Sequence, residues 1–361
     1  MPETTEAEIV LREALPEDGA ALMEAIGRID EETEFLGKPG EYRRWSEGVA
    51  TRLAEMRRRA TGAYVLALHG GEIVGFLGAF TGAVERARGL VYVGHVGLRR
   101  AWRGRGIGTR LFAAIEEWAL AHGGWRLELR VDEANERGLA LYRKRGFVIE
   151  GRIAQAVRLD GRWHAHYWMA KVLRELEGPA WAPLDLPPLA APAAGAVTIR
   201  RLEPQEAALL CRWARRFLAE TPFLLKQPQE VPDEAAVAKG LADDRDKPDR
   251  LALAVVAGDS VVGHATIWKE PSLRMQHDAT FVLSLERDQW GRGLGRALYA
   301  QLERWARDNG ALRLSTTVLG HNLRALRFAA AQGLQPEVTS PRCIPVDGRV
   351  ADRLRLGKLL I

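Results

Sequence analysis

The chain repeats itself at long range. Leu11–Asp18 (LREALPED) returns as Ile199–Glu206 (IRRLEPQE), and Glu72–Phe76 (EIVGF) returns as Ser260–His264 (SVVGH), both displaced by 188 residues. Glu32–Leu36 (ETEFL) matches Glu220–Leu224 (ETPFL) at the same displacement. Further on the displacement is 187: Gly106 pairs with Gly293, Asn135 with Asn322, Gly146 with Gly333 and Gly161 with Gly348. One residue has been lost between Gly263 and Gly293. So long a period excludes a solenoid of short repeats and requires one domain fold written twice. The boundaries fall at 5–175 and 196–361. Between them, 176–195 is rich in proline and alanine and reads as a semi-rigid linker.

Composition narrows the class. Hydrophobic residues make up 47% and charged residues 27%, so each half can bury a core of its own. No apolar run reaches the ~18 residues of a membrane span. The acidic start MPETTEAEIVLREA is unlike a signal peptide. Two cysteines, Cys211 and Cys343, do not make a disulfide framework and fit a reducing, cytoplasmic setting. The net charge of +5 favours an anionic ligand only weakly.

Within the first repeat, Glu8–Ala14 alternates as a strand and Pro16–Ile26 has helical spacing. Tyr64–Phe80 reads as a hairpin about Gly70-Gly71, and Leu90–Leu98 as an apolar strand. Thr109–His122 places Leu111, Phe112, Ile115, Trp118 and Ala119 on one helical face. A strand over Trp125–Val131 and a helix over Asn135–Arg145 follow, with Gly146 as a left-handed stop. Ala156–Ala170 reads as two strands around an Asp160-Gly161 turn. The class is α/β, in the α+β sense.

Between the Leu90–Leu98 strand and the next helix lies RGRGIG, Arg103–Gly108. Glycines there permit unusual dihedrals and close backbone approach. The helix start offers free N–H groups and a positive dipole end to a pyrophosphate. Arg99, Arg100, Arg103, Arg105 and Arg110 add cations. A tight turn with a solvated basic face is the plain alternative. No Gly-Lys-Ser/Thr follows, so this is not a Walker A loop, and the GxGxG spacing is not the dinucleotide fingerprint.

Together with Asn135–Phe147 (NERGLALYRKRGF), the run Arg103-x-x-Gly106-x-Gly108 resembles the two signatures of the GNAT superfamily of acyl-CoA-dependent N-acetyltransferases. Gly138 stands where that family usually has alanine. The resemblance implies two tandem GNAT folds, each a mixed, splayed sheet flanked by helices. It also implies acetyl transfer from acetyl-CoA to a primary amine by direct attack. Val96, Leu98, Arg103, Gly104, Arg105, Gly106, Ile107, Gly108 and Thr109 would hold acetyl-CoA, as would Asn135, which can equally cap the helix it precedes. Tyr142 would hydrogen-bond or protonate the CoA sulfur, and His95 is the candidate base, where many relatives carry glutamate. Glu32 and Glu85 are weaker candidates for handling the amine. His164 and His166 share a strand face without a third metal ligand at useful spacing, so no metal is expected.

In the second copy Arg292, Gly293, Gly295 and Asn322 are possible CoA-binding residues. Trp290 replaces Arg103, Ala329 replaces Tyr142 beside Phe328, and Val282 replaces His95. The second domain therefore reads as degenerate. The expected partner is a small-molecule or peptide amine, with no nucleic acid and no membrane, in a monomer or homodimer. Two other readings stay open: both domains active, or a non-catalytic acyl-CoA sensor or scaffold.

Overall fold

The computed structural model describes residues 8–35, 48–159, 161–187, 196–245, 247–270 and 272–360. The chain divides into two compact units. The first holds 1–83, 87–154 and 164–176; the second holds 84–86, 155–163 and 177–361. Asp160 of the expected hairpin turn, and 188–195 of the expected linker, lie outside the described residues.

The first repeat runs β1 (Val10–Glu13), α1 (Gly19–Asp30), α2 (Val49–Arg59), β2 (Gly62–His69), β3 (Glu72–Thr81), β4 (Leu90–Leu98), α3 (Ile107–Ala121), β5 (Arg126–Asp132), α4 (Glu136–Lys144), β6 (Val148–Leu159) and β7 (Arg162–Val172), all of it in the first unit except 84–86 and the hairpin tip 155–163. Its strands lie in the order β1-β2-β3-β4-β5-β7-β6. β4 and β5 are parallel and pair only from Leu90–Arg126 to Val93–Leu129. Beyond that pair the ladder ends and the two strands separate. This splay is the feature around which the site is built.

Alternation along the strands sends side chains to two cores, one on each face of the sheet. Val91, Val93, Leu127, Leu129 and Val131 pack with Ile107, Leu111, Phe112 and Ile115 of α3. On the other face α1 and α2 contribute Leu22, Ala25, Ile26, Ile29 and Leu53, which pack against Tyr64, Leu66 and Phe76. Each fully buried aliphatic or aromatic side chain stabilises the fold by roughly 1.5–3 kcal/mol. β2 and β3 are thereby packed on both faces, and β4 and β5 on the α3 face.

The second unit repeats the plan. It runs β8 (Val197–Arg200), α5 (Ala207–Glu220), α6 (Glu234–Arg245), β9 (Arg250–Ala257), β10 (Ser260–Lys269), β11 (Asp278–Leu285), α7 (Leu294–Asp308), β12 (Arg313–Leu319), α8 (Leu323–Ala331), β13 (Gln335–Val346) and β14 (Arg349–Leu359). The strand order is β8-β9-β10-β11-β12-β14-β13, and β11 and β12 are the parallel pair.

Strand registers locate the lost residue. In the first unit Gly78 faces His95 but Ala79 faces Val93, so Gly94 is extra and forms a β-bulge. In the second, Thr266 faces Val282 and Ile267 faces Phe281 without a shift. Gly94 has no counterpart. A bulge re-aims the strand and raises its twist, so the two splays differ where the displacement changes from 188 to 187.

Part of the expected linker is tied down. Ala180 bridges Val350 and Leu184 bridges Asn322. Trp181 stacks on His321 with ring centroids 4.6 Å apart. The prolines still favour extension, but 180–184 is an added edge of the second unit rather than a free spacer.

Candidate active site

The glycine turn has two kinds of glycine. Gly104 and Gly106 adopt φ of 78° and 77°, a conformation that costs a side-chain-bearing residue roughly 1–2 kcal/mol. An added Cβ at either would meet nothing within 4 Å, so the surface above them is open. Gly106 caps α3 without a side-chain hydrogen bond, which leaves the first-turn N–H groups, including those of Ile107, Gly108 and Thr109, directed at that open surface. Gly108 serves packing instead: a Cβ there would come 3.1 Å from Leu141 of α4. This cradle fits the pyrophosphate of acetyl-CoA.

The arginines are more committed than their charge suggests. Arg103 Nε donates to Leu98 O at 2.9 Å, so the carbonyl of Leu98, one of the residues expected to hold acetyl-CoA, is already bonded inside the turn. Glu32 gathers Arg99, the Arg100 backbone N–H and Arg103. It braces the turn. Arg105 lies over the Trp102 ring at 4.7 Å. Glu85 sits in the short turn before β4, at the end of that strand remote from the splay.

Val96 and Leu98 face the α3 core, beyond the last residue of β4 that pairs with β5. Asn135 caps α4, its Oδ1 accepting from Gly138 N at 2.9 Å. A Cβ at Gly138 would lie only 2.8 Å from Asn135 Nδ2. Tyr142 is 9% exposed and meets Phe112 edge-to-face at 5.6 Å. Burial, with the nearby Tyr92, pushes its pKa up to about 12. It is a neutral phenol across the physiological range, with a proton to give.

His95 projects to the opposite face. A Cβ on its neighbour Gly97 would strike Phe76 and Ile29 of the α1 core, and His95 Nδ1 lies 2.8 Å from the Tyr64 hydroxyl. Burial brings the His95 pKa down to about 4. Tyr142 and His95 thus flank the splay from opposite faces of the sheet. The imidazole is neutral, as the expected role requires, but desolvation makes it a poor proton acceptor.

Sequence reasoning did not single out Tyr64, Tyr92, Arg130 or Asp132. Arg130 Nε contacts Tyr92 Oη at 3.4 Å, and Asp132 contacts His164. The signal lay in alternation along β5, which puts Arg130 and Asp132 opposite Leu129 and Val131. Among the described residues no group of three or more His, Cys, Asp or Glu is placed to hold a metal, and no helix is long and apolar enough to cross a membrane.

Buried histidines make stability depend on pH. His95, His166 and His264 are each lowered to about 4 by burial, whereas an unfolded histidine titrates near 6.5. Between these values the unfolded chain binds more protons. Stability is therefore full above about pH 6.5 and falls as pH drops toward 4, by about 1.4 kcal/mol per pH unit for each histidine. Urea denaturation at pH 7.5, 6 and 5 checks this, and His95→Asn should remove about one proton from the slope.

The second cradle keeps the backbone of the first. Gly291 and Gly293 have φ of 81° and 79°, and Gly295 packs toward Phe328. Trp290 Nε1 donates to Leu285 O at 2.8 Å, the same brace that Arg103 makes. Arg324 lies over the Trp290 ring at 4.3 Å, and Arg292 Nη1 donates to Gln289 at 2.6 Å. Asn322 caps α8 through Ala325 N at 3.1 Å. Ala329 and Val282 supply no polar side chain at the positions of Tyr142 and His95.

A parallel strand pair lies beside a glycine-rich helix start twice in one chain, the arrangement that the resemblance to acyl-CoA-dependent transferases implies. The chain matches the Acetyltransferase (GNAT) family over residues 28–147 and again over 214–334. It belongs to that family and is an acetyl-CoA-dependent acetyltransferase of tandem form. It is 30% identical over 133 residues to the L-methionine sulfoximine/L-methionine sulfone acetyltransferase of Pseudomonas paraeruginosa, covering 33% of this chain and 73% of that one. It is 37% identical over 99 residues to the N-alpha-acetyltransferase RimI of Mycobacterium tuberculosis, covering 27% and 60%. A phosphinothricin acetyltransferase from Sinorhizobium meliloti, solved in complex with AcCoA, aligns with a TM-score of 0.40 at 23% identity, covering 46% of this chain and 89% of that one.

Proposed function

We propose that the first unit transfers the acetyl group to a primary amine and that the second does not. The observation that carries this reading is the placement of Tyr142 and His95 on either side of the β4–β5 splay, against Ala329 and Val282 in the second unit. The Gly104–Thr109 cradle and the unpaired edge of β4 near Val96 hold acetyl-CoA. Tyr142 gives its proton to the sulfur as the C–S bond breaks. His95 meets the amine as a neutral imidazole fixed by Tyr64.

The second splay is also crossed by its own chain. Leu184 N donates to His321 O at 2.7 Å and Leu184 O accepts from Leu323 N at 3.3 Å, at the junction of β12 and α8. Asp185 pairs with Arg327 of α8, and Pro187 O accepts from Arg287 Nε at 2.8 Å, just after β11. The segment runs from one wall of the splay to the other.

For the acceptor, the similarity to the methionine sulfoximine and sulfone acetyltransferase favours an amino acid's α-amine, and that to RimI a peptide N-terminus. A thiol-release assay on the full chain with L-methionine sulfone, other amino acids, polyamines and N-terminal peptides tests the proposal. Amine-dependent release supports it. Calorimetric acetyl-CoA binding with no release across the panel would replace it with a sensor.

A further inference from the structure

The end of β5 carries a side-chain pair not yet assigned. Asp132 is 4% exposed. Its Oδ1 accepts from Ala134 N at 2.8 Å and its Oδ2 lies 2.7 Å from His164 Nδ1. A carboxylate accepts, so this contact holds the proton on His164 Nδ1, and in the neutral ring that tautomer leaves the Nε2 lone pair free. His164 is part-exposed, and among the described residues its Nε2 has no hydrogen-bond partner. His166, opposite Asp132 in the β5–β7 ladder, has a buried Nδ1 that is also unpaired.

The pair is placed for the reaction. Asp132 lies three residues beyond Leu129, where the β4–β5 ladder ends, on the sheet face that His95 shares. His95 thus approaches the splay from the β4 side and His164 from the β5 side, with Tyr142 on the opposite face. In the second unit the corresponding positions are Leu319, Ala351 and Arg353, so the whole constellation is confined to the unit that keeps Tyr142.

We propose that His164 is the proton acceptor for the amine and that Asp132 is its positioning residue. The assignment rests on the first unit being the site of transfer. The ammonium nitrogen gives one proton to His164 Nε2, and the freed lone pair forms the N–C bond to the acetyl carbonyl carbon. The C–S bond breaks and the sulfur takes the proton of Tyr142, which the second nitrogen proton replaces. The sum is an amide, a free thiol and one proton, which His164 passes to water. A carboxylate-held imidazole at the surface suits this step better than His95, which burial disfavours as a cation. The charged and titratable groups facing His164 are Asp132, Glu133 and Arg130 from the β5 side, Arg152 of β6 paired with Glu133, and His166 on β7.

The test uses the full chain and whichever panel amine turns over fastest. His164→Gln should lower kcat about 10²-fold, with the acetyl-CoA Kd and the amine KM each within about threefold. Asp132→Asn should also lower kcat and move the acidic limb of the kcat/KM profile to lower pH, a shift that a purely structural role would not produce. Nitrogen-15 NMR of the wild-type chain should show His164 as the Nδ1–H tautomer, a readout independent of turnover. An Nε2–H tautomer, an unmoved acidic limb in Asp132→Asn, or His164→Gln with more than a third of wild-type kcat would overturn the assignment. Tyr142→Phe run in parallel separates the failures: loss there with none in His164→Gln removes only this proposal, and loss in neither removes the site itself.

Discussion

Tyr142→Phe is expected to lower kcat by about 10²-fold or more, with the acetyl-CoA Kd within about twofold and the fold intact. The phenol stands on the α3 face of the splay, and burial keeps it protonated, with its pKa pushed up to about 12. Without it the sulfur must leave as an unassisted thiolate or wait for water to enter a closed core. The ring itself is retained, so its contacts with Phe112 and Phe147 persist and stability should change by less than about 1 kcal/mol. Steady-state thiol release, calorimetry and a thermal melt measured together distinguish lost chemistry from lost packing. Full turnover would remove Tyr142 from the reaction.

Asp278→Leu should destabilise the second unit by about 3–5 kcal/mol, and adding Ser315→Glu should recover much of that loss. Asp278 is 1% exposed. It lies 3.4 Å from Arg313 Nε and 2.9 Å from Arg355 Nη2, and its Oδ1 accepts from Ser315 Oγ at 2.9 Å. Removing it takes a buried carboxylate from between two arginines, in a site where burial already pushes the Glu337 carboxyl up. The first unit solves the same problem differently. Leu90 stands at the Asp278 position, and Arg126 is held by Glu128 at 2.8 Å and by Glu150. The double substitution rebuilds that arrangement around Arg313. Denaturant titration of the single and double variants gives the two free energies, and a double variant no more stable than the single would contradict the equivalence.

Much of this architecture could be read from residue order. The displacement of 188, then 187, gave two folds, and Gly104 and Gly106 marked a turn whose left-handed φ only glycine adopts cheaply. The lost residue could be placed no more finely than between Gly263 and Gly293, because a bulge is a property of register. Only the pairing of Gly78 with His95 and Ala79 with Val93 puts it at Gly94. Arg103 shows a different gap. Its charge suggested a phosphate ligand, whereas its Nε is bonded to the Leu98 carbonyl, a bond that Trp290 can replace. Asp132 and His164 are far apart in sequence, and only the adjacency of β5 and β7 joins them. Alternation set His164 and His166 on one strand face but could not supply their carboxylate.

That transfer belongs to the first unit is tested most directly by blocking one cradle at a time in the full chain. Valine at Gly106 forces a branched side chain into left-handed backbone and over the open surface above the α3 start, and valine at Gly293 does the same above α7. Each costs the turn a similar roughly 1–2 kcal/mol, so the pair is matched in strain and differs only in the unit affected. Amine-dependent thiol release should fall at least tenfold in Gly106→Val and stay within about twofold of wild type in Gly293→Val. Equal losses in the two variants, or a loss confined to Gly293→Val, would contradict the account.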